Sequence, residues 1–155
     1  MAGHIDQHLK SLGITLPKAS SPAANYVPWV RSGSLVFVAG QLPQENGQVA
    51  QTGLVGQGVS VDEAYAAARL CALNILSHVR TACDGDLDRV SRVVRVNGFV
   101  ASGPGFTEHP QVINGASDLF FKIFGEAGGH SRVAVGSSSL PRNASVEVDA
   151  IFEIA

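Results

Sequence analysis

Charged residues are scarce in this sequence. Asp, Glu, Lys and Arg make up 15% of its 155 residues, well below the quarter that is usual in globular domains. Hydrophobic residues make up 45%. So few charges leave apolar patches exposed on a monomer, and we therefore expect the chain to self-associate. The length suits a single domain with a sizeable core.

Cysteine is also scarce, which bears on disulfides and metal sites. We expect neither a metal nor a cofactor. Cys71 and Cys83 fall in and at the end of one predicted helix, about 18 Å apart and therefore too far for a disulfide. Free thiols of this kind fit a reducing compartment. His4 and His8 could share a helix face, but no third ligand lies near them.

Other absences narrow the class of protein. No stretch is apolar for the length of a membrane span, and the start lacks the blocks of a signal peptide, so we expect a cytoplasmic protein. The 11 Lys and Arg are scattered and the net charge is −2, which argues against nucleic-acid binding. Residues 53–58 lack the Lys-Ser/Thr ending of a phosphate-binding loop. Ser137, Ser138 and Ser139 have no His and Asp in a recognisable hydrolase motif.

The apolar pattern predicts an α+β two-layer sandwich, with two helices on one face of a single mixed sheet. We expect the other face to be covered by self-association into a trimer or dimer. Residues 36–38 are all apolar, which predicts a strand covered on both faces. In chain order, the predicted elements are a short helix over 5–12, strands over 26–31 and 35–41, a helix that begins with a capping box at 60–63 and ends at 84–86, a strand over 90–102, a helix over 111–124, and strands over 131–136 and 144–154.

Five residues could together bind a small anion. Arg132 begins an apolar strand, where its guanidinium could hold a carboxylate by two parallel hydrogen bonds. An arginine at a strand edge can equally point into water. Glu147 and Asp149 share one face of their strand, as part of a site or as a solvent-facing edge. Tyr26 could line the site or be an interface residue, and Asn114 lies on the second long helix.

Several blocks of residues follow one another in a characteristic order: Tyr26 with Gly33, residues 35–43, Asn114 ahead of Phe120 and Phe121, Arg132 eight residues before Leu140 and Pro141, and residues 146–150. Together they resemble the Rid family of reactive-intermediate (imine) deaminases, also called YjgF or L-PSP proteins. The resemblance covers residues 19–154 of one domain over 1–155, with 1–20 as an amino-terminal extension. It implies a chorismate-mutase-like fold and a homotrimer with ligand clefts between subunits.

The resemblance also implies a reaction. In the deaminases of this family an arginine, matched by Arg132, clamps the carboxylate of 2-iminopropanoate or a related imine acid. Water attacks the imine carbon and gives a 2-keto acid and ammonia, with no cofactor, because a protonated imine is already electrophilic. The same match places Tyr26 in the cleft wall and gives Asn114 a substrate-side or a supporting role. It lets the backbone of Ala134 hold the substrate nitrogen or water, and lets the ligand approach Gly40 closely.

Two substitutions depart from that pattern. Ala39 stands where many members have a serine that could bond the substrate. Asp149 stands where the family usually has a glutamate near the attacking water, and its carboxylate is about 1 Å further back. Together with the longer amino-terminal segment and Pro28-Trp29, they indicate a distinct branch of the Rid family.

Three functions follow from these observations. An imine deaminase is the first hypothesis. A non-catalytic trimer that binds or senses small carboxylates is the second, and Ala39 and Asp149 favour it. An endoribonuclease is the weakest, because the sequence pI is near 6.2 and no basic groove is evident.

Overall fold

A five-stranded mixed sheet with two long helices on one face forms the body of the protein. The computed structural model describes residues 3–22 and 24–155. Its α-helices are α1 (His4–Ser11), α2 (Val61–Ala82) and α3 (His109–Phe124). Its strands are β1 (Trp29–Ser32), β2 (Leu35–Gln41), β3 (Gln44–Glu45), β4 (Gln48–Val49), β5 (Leu54–Val55), β6 (Gly58–Val59), β7 (Val90–Ala101), β8 (Ser131–Ser137) and β9 (Val146–Ile154).

The strand order of the main sheet is β1-β2-β9-β7-β8. Neighbouring strands are antiparallel except β7 and β8, which are parallel. A parallel pair needs a crossover connection, and α3 lies within that connection. β8 is therefore an edge strand placed beside the helix that precedes it. The predicted α+β fold is confirmed.

Local sequence explains where α2 begins and which side of it is buried. The Ser60 hydroxyl accepts from the Glu63 amide at 3.1 Å, and the Glu63 carboxylate accepts from the Ser60 amide at 3.0 Å. This capping box satisfies two amides that the first helical turn leaves unpaired. The face of α2 that packs on the sheet is buried, and its residues at helical spacing are Ala64, Ala67, Ala68, Cys71, Ile75 and Val79.

The two faces of the sheet differ in exposure. Alternate residues of β9 are buried beneath the helices, from Val146 to Ile154. The prediction that residues 36–38 are covered on both faces is wrong for the single chain, because Phe37 is 41% exposed on the face away from the helices. Val30, Val133 and Val135 are also exposed, and the strand registers place them on that same open face.

Some predicted boundaries differ from the structure. β1 begins at Trp29, so Tyr26 lies in a bend before it. α3 begins at His109 because Pro110, which lacks an amide hydrogen, is tolerated in the first turn of a helix. Residues 44–59, between the predicted strand over 35–41 and the helix that begins at 60–63, contain four short strands in two small sheets.

The amino-terminal extension packs on the helical layer. The Asp6 carboxylate accepts two hydrogen bonds of 2.9 Å from Arg80 on α2, and the amides of His4 and Ile5 donate to Asp88. Leu9 is buried in the same hydrophobic core as the sheet residues.

Both cysteines are free, as predicted, and both are buried. Burial raises the pKa of the Cys71 thiol well above its ordinary value. Within the described ranges, no helix is both long and apolar enough to cross a bilayer.

We predict that Gly115→Ala will destabilise the fold. A Cβ at this position would overlap the backbone carbonyl of Tyr65, where α3 crosses α2. Because backbone cannot move aside as a side chain can, we expect the free energy of unfolding to fall by about 1–3 kcal/mol, measured by urea denaturation. Gln111→Ala, at an exposed position of the same helix, is the control and should change it by less than about 0.5 kcal/mol. Equal stability of the two variants would contradict the close approach.

Candidate functional site

Arg132 is held against the side of α3. It pairs with Val96 of β7, which is buried beneath the helices, so the arginine points to the helical face of the sheet. Its Nη1 donates to Asn114 Oδ1 at 2.8 Å and to Ser117 Oγ at 3.1 Å. Its Nη2 donates to the carbonyl of Pro110 at 3.4 Å. The side chain is partly buried and does not extend into water as a solvated strand-edge arginine would.

These contacts leave one edge of the guanidinium available. Nη1 donates to two acceptors, Asn114 and Ser117, and Nη2 donates to the carbonyl of Pro110. Within the described part of the chain, no hydrogen bond is made by Nε of Arg132. In a guanidinium, the Nε–H and one hydrogen of Nη2 lie on the same edge and match the spacing of two carboxylate oxygens. The Nη2 bond to Pro110 is long, at 3.4 Å. The arrangement can therefore bind a carboxylate side-on.

A second group of predicted residues lies around the end of β2. Tyr26 is 49% exposed and, together with Gly40, lines a small cavity of about 50 Å³ that also contacts His78. A Cβ on Gly40 would overlap the Glu147 carboxylate, so that carboxylate lies directly over the Gly40 backbone. Ala39 is next to this point, and its carbonyl accepts from the Gln41 side chain at 3.0 Å.

The two carboxylates of β9 share the open face of the sheet but differ in their contacts. Asp149 accepts a hydrogen bond of 2.7 Å from Asn97, whose own side-chain oxygen accepts from Arg95 at 3.2 Å. Burial raises the pKa of Asp149, and the Asn97 bond and the Arg95 charge partly oppose this. Burial, and then the charge of Asp149, raise the pKa of Glu147.

A single chain does not bring all the predicted residues together. Arg132, Ala134 and Asn114 lie at the β8 edge, whereas Tyr26 and Gly40 lie near β2. Two strands separate β2 from β8, which is about 14 Å at the usual strand spacing. In addition, Arg132 faces the helices, while Glu147 and Asp149 face the opposite side of the sheet. The candidate site therefore consists of two parts on different surfaces of the chain.

Glu147 was not assigned a catalytic role from the sequence, although it was among the five candidates for anion binding. The structure gives it the contact with Gly40 that Asp149 lacks. The available signal was its position two residues before Asp149 on one strand face. Across residues 3–22 and 24–155, no three His, Cys, Asp or Glu side chains cluster as metal ligands would.

Comparison with known proteins agrees with this fold. Residues 6–154 match the family described as "YjgF/chorismate_mutase-like, putative endoribonuclease". The chain therefore belongs to the YjgF/chorismate mutase-like family, the group also called Rid or L-PSP proteins.

Three relatives show how the chain is placed within this family. It is 50% identical over 154 residues to protein TCP17 of Trypanosoma cruzi, covering 99% of this chain and 96% of that protein. It is 56% identical to Atu1372 of Agrobacterium tumefaciens, a crystal structure of unknown function, with a TM-score of 0.91 and coverage of 97% and 92%. It is 27% identical over 141 residues to 2-iminobutanoate/2-iminopropanoate deaminase of Dermatophagoides farinae, covering 91% and 94%.

We predict that Glu147→Gln will stabilise the protein at neutral pH. The folded-state pKa of Glu147 lies above its ordinary value of 4.5, so keeping this carboxyl ionised in the fold opposes folding at pH 7. That penalty disappears as the pH falls below the ordinary value, where the carboxyl is protonated in both states. Urea denaturation at pH 7 and near pH 4 should show an advantage for Gln only at pH 7.

Glu45→Gln is the control for this experiment, because Glu45 is exposed in the β3–β4 hairpin. It should leave the stability unchanged at pH 7. An E147Q protein that is less stable than the original at pH 7 would contradict the burial of this carboxylate.

Proposed function

We propose that the protein hydrolyses small 2-imino acids to 2-keto acids in clefts between the subunits of a homotrimer. For 2-iminopropanoate, water adds to the carbon of the protonated imine, the C–N bond breaks, and pyruvate and ammonium are released. The observation that carries the proposal is the fixed guanidinium of Arg132 with its open Nε–Nη2 edge. The 27% identity to an imine deaminase supports it.

The division of the site over two surfaces supports a shared cleft. In this proposal one subunit contributes Arg132, Asn114 and the backbone of Ala134, which hold the carboxylate and the imine nitrogen or water. The neighbouring subunit contributes Tyr26, Ala39 and Gly40. The exposed apolar residues of the open sheet face, Val30, Phe37, Val133 and Val135, would be covered by the same association.

A carboxylate of β9 would position the attacking water and accept its proton. A buried carboxylate with a raised pKa is suited to this role near neutral pH. The sequence pointed to Asp149, which stays a prediction. Glu147 is the stronger proposal because it lies over Gly40, whereas an oxygen of Asp149 is already engaged by Asn97.

A second function is favoured by two specific observations. Ala39 offers no hydroxyl to a substrate, and Asp149 is hydrogen-bonded within its own sheet. A trimer that binds 2-keto acids without turning over imines would need only the Arg132 clamp. Both functions share the carboxylate site and differ in the chemical step.

We predict that Arg132→Ala abolishes most of the activity. 2-Iminopropanoate is generated in the assay by an amino acid oxidase acting on alanine, and the rate of pyruvate release is followed. Loss of a desolvated charge pair should lower kcat/KM by about 100-fold or more, whereas Arg69→Ala, at an exposed position on α2, should have no effect. If the unaltered protein binds 2-oxobutanoate but does not accelerate pyruvate release, the binding function is correct and the deaminase is not.

A further pair of variants tests whether Glu147 or Asp149 accepts the proton of the attacking water. We expect Glu147→Gln to lower kcat by about 100-fold, the usual contribution of a general base, and Asp149→Asn to lower it less. Circular dichroism and the oligomeric state should be the same for both proteins. A greater loss in D149N would return the role to Asp149.

A further inference from the structure

A chain of hydrogen bonds extends from Arg132 into the turn before β8. Ser117 Oγ, which accepts from Arg132, lies 2.8 Å from His130 Nε2. His130 Nδ1 lies 2.6 Å from the carbonyl oxygen of Gly128. Ser117 is only 6% exposed, so the hydroxyl has these two partners rather than bulk water.

The direction of each bond follows from the groups involved. A carbonyl oxygen only accepts, so Nδ1 of His130 carries a hydrogen and donates to Gly128. In a neutral imidazole Nε2 is then an acceptor, and the Ser117 hydroxyl donates to it. The Ser117 oxygen thereby keeps its lone pairs directed towards Nη1 of Arg132.

The surroundings of His130 favour this neutral tautomer. Its ring lies edge-on to Phe120, with centroids 6.1 Å apart, and is tilted against Phe121 at 5.8 Å. Burial lowers the pKa of His130; the Gly128 bond opposes this, and the Arg132 charge adds to the lowering. Arg132 is the charged group that acts on this ring, and Ser117, Phe120 and Phe121 face it from α3.

We propose that His130 and Ser117 are positioning residues that orient the Arg132 guanidinium so that its Nε–Nη2 edge receives the ligand carboxylate. The inference rests on the proposed function and extends it to the groups behind the clamp. Asn114 and Ser117 both accept from Nη1, so the plane of the guanidinium is held from the side away from the ligand. Loss of the acceptor at His130 would free the Ser117 hydroxyl to rotate and loosen that plane.

Two variants at position 130 separate orientation from packing. His130→Leu fills the space but removes the acceptor, whereas His130→Gln keeps a neutral acceptor that can reach the Ser117 hydroxyl. Ser117→Ala removes the hydroxyl itself. The affinity for 2-oxobutanoate, measured by calorimetry, should fall about 3- to 10-fold in H130L and S117A, and H130Q should stay within about twofold of the unaltered protein.

A ligand-free NMR measurement keeps the inference separate from the proposed function. Imidazole ¹⁵N spectra should show the Nδ1–H tautomer of His130, and the Arg132 Nη hydrogens should be resolved in the unaltered protein and H130Q but averaged by rotation in H130L and S117A. If these spectra behave so while 2-oxobutanoate fails to bind, the positioning role holds and the proposed function fails. If H130L keeps both the ordered guanidinium and the affinity for 2-oxobutanoate, the positioning role is wrong. It is also wrong if H130Q loses as much affinity as H130L.

Discussion

The contact between the Arg132 guanidinium and α3 is the interaction on which the candidate site depends. Asn114 and Ser117 lie one turn apart on this helix and bind the same nitrogen of the arginine. The helix can hold them there because Gly115 lets it approach α2, and Gly98 leaves room on β7 for Ile113. The absence of a side chain at Gly115 and Gly98 thus lets α3 pack closely against α2 and the sheet. This packing sets the position of the groups that orient the guanidinium.

The two faces of the sheet differ in burial and polarity. One face is closed by the helices and contains the core. The other carries exposed valines and Phe37 beside the partly buried Glu147 and Asp149. Carboxylates with raised pKa values on an apolar surface oppose the stability of the chain, which is a common property of functional positions.

Much of the fold could be predicted from the sequence because local rules agree with the tertiary structure. The Ser60–Glu63 capping box, the alternation along β9 and the small-residue stripe of α2 each satisfy backbone or core requirements within a few residues. The site was predictable only in part. Arg132 was identified by its motif. Ser117, which accepts from it, and His130, which bonds Ser117, give no sequence signal, since a serine inside a helix and a histidine after glycines are unremarkable there. Likewise, the choice between Glu147 and Asp149 depends on which one lies over Gly40.

By itself, the sequence determined the long helices, the strands of the five-stranded sheet and the family to which the chain belongs, because these depend on periodicity, caps and ordered motifs. Only the tertiary structure decided which predicted residues meet. The strand order places β2 and β8 two strands apart, and the pleat turns Arg132 and the carboxylates to opposite faces. The direction of a side chain in a sheet follows from the register and order of the strands. Both depend on pairing between residues far apart in the chain, which no local sequence pattern shows.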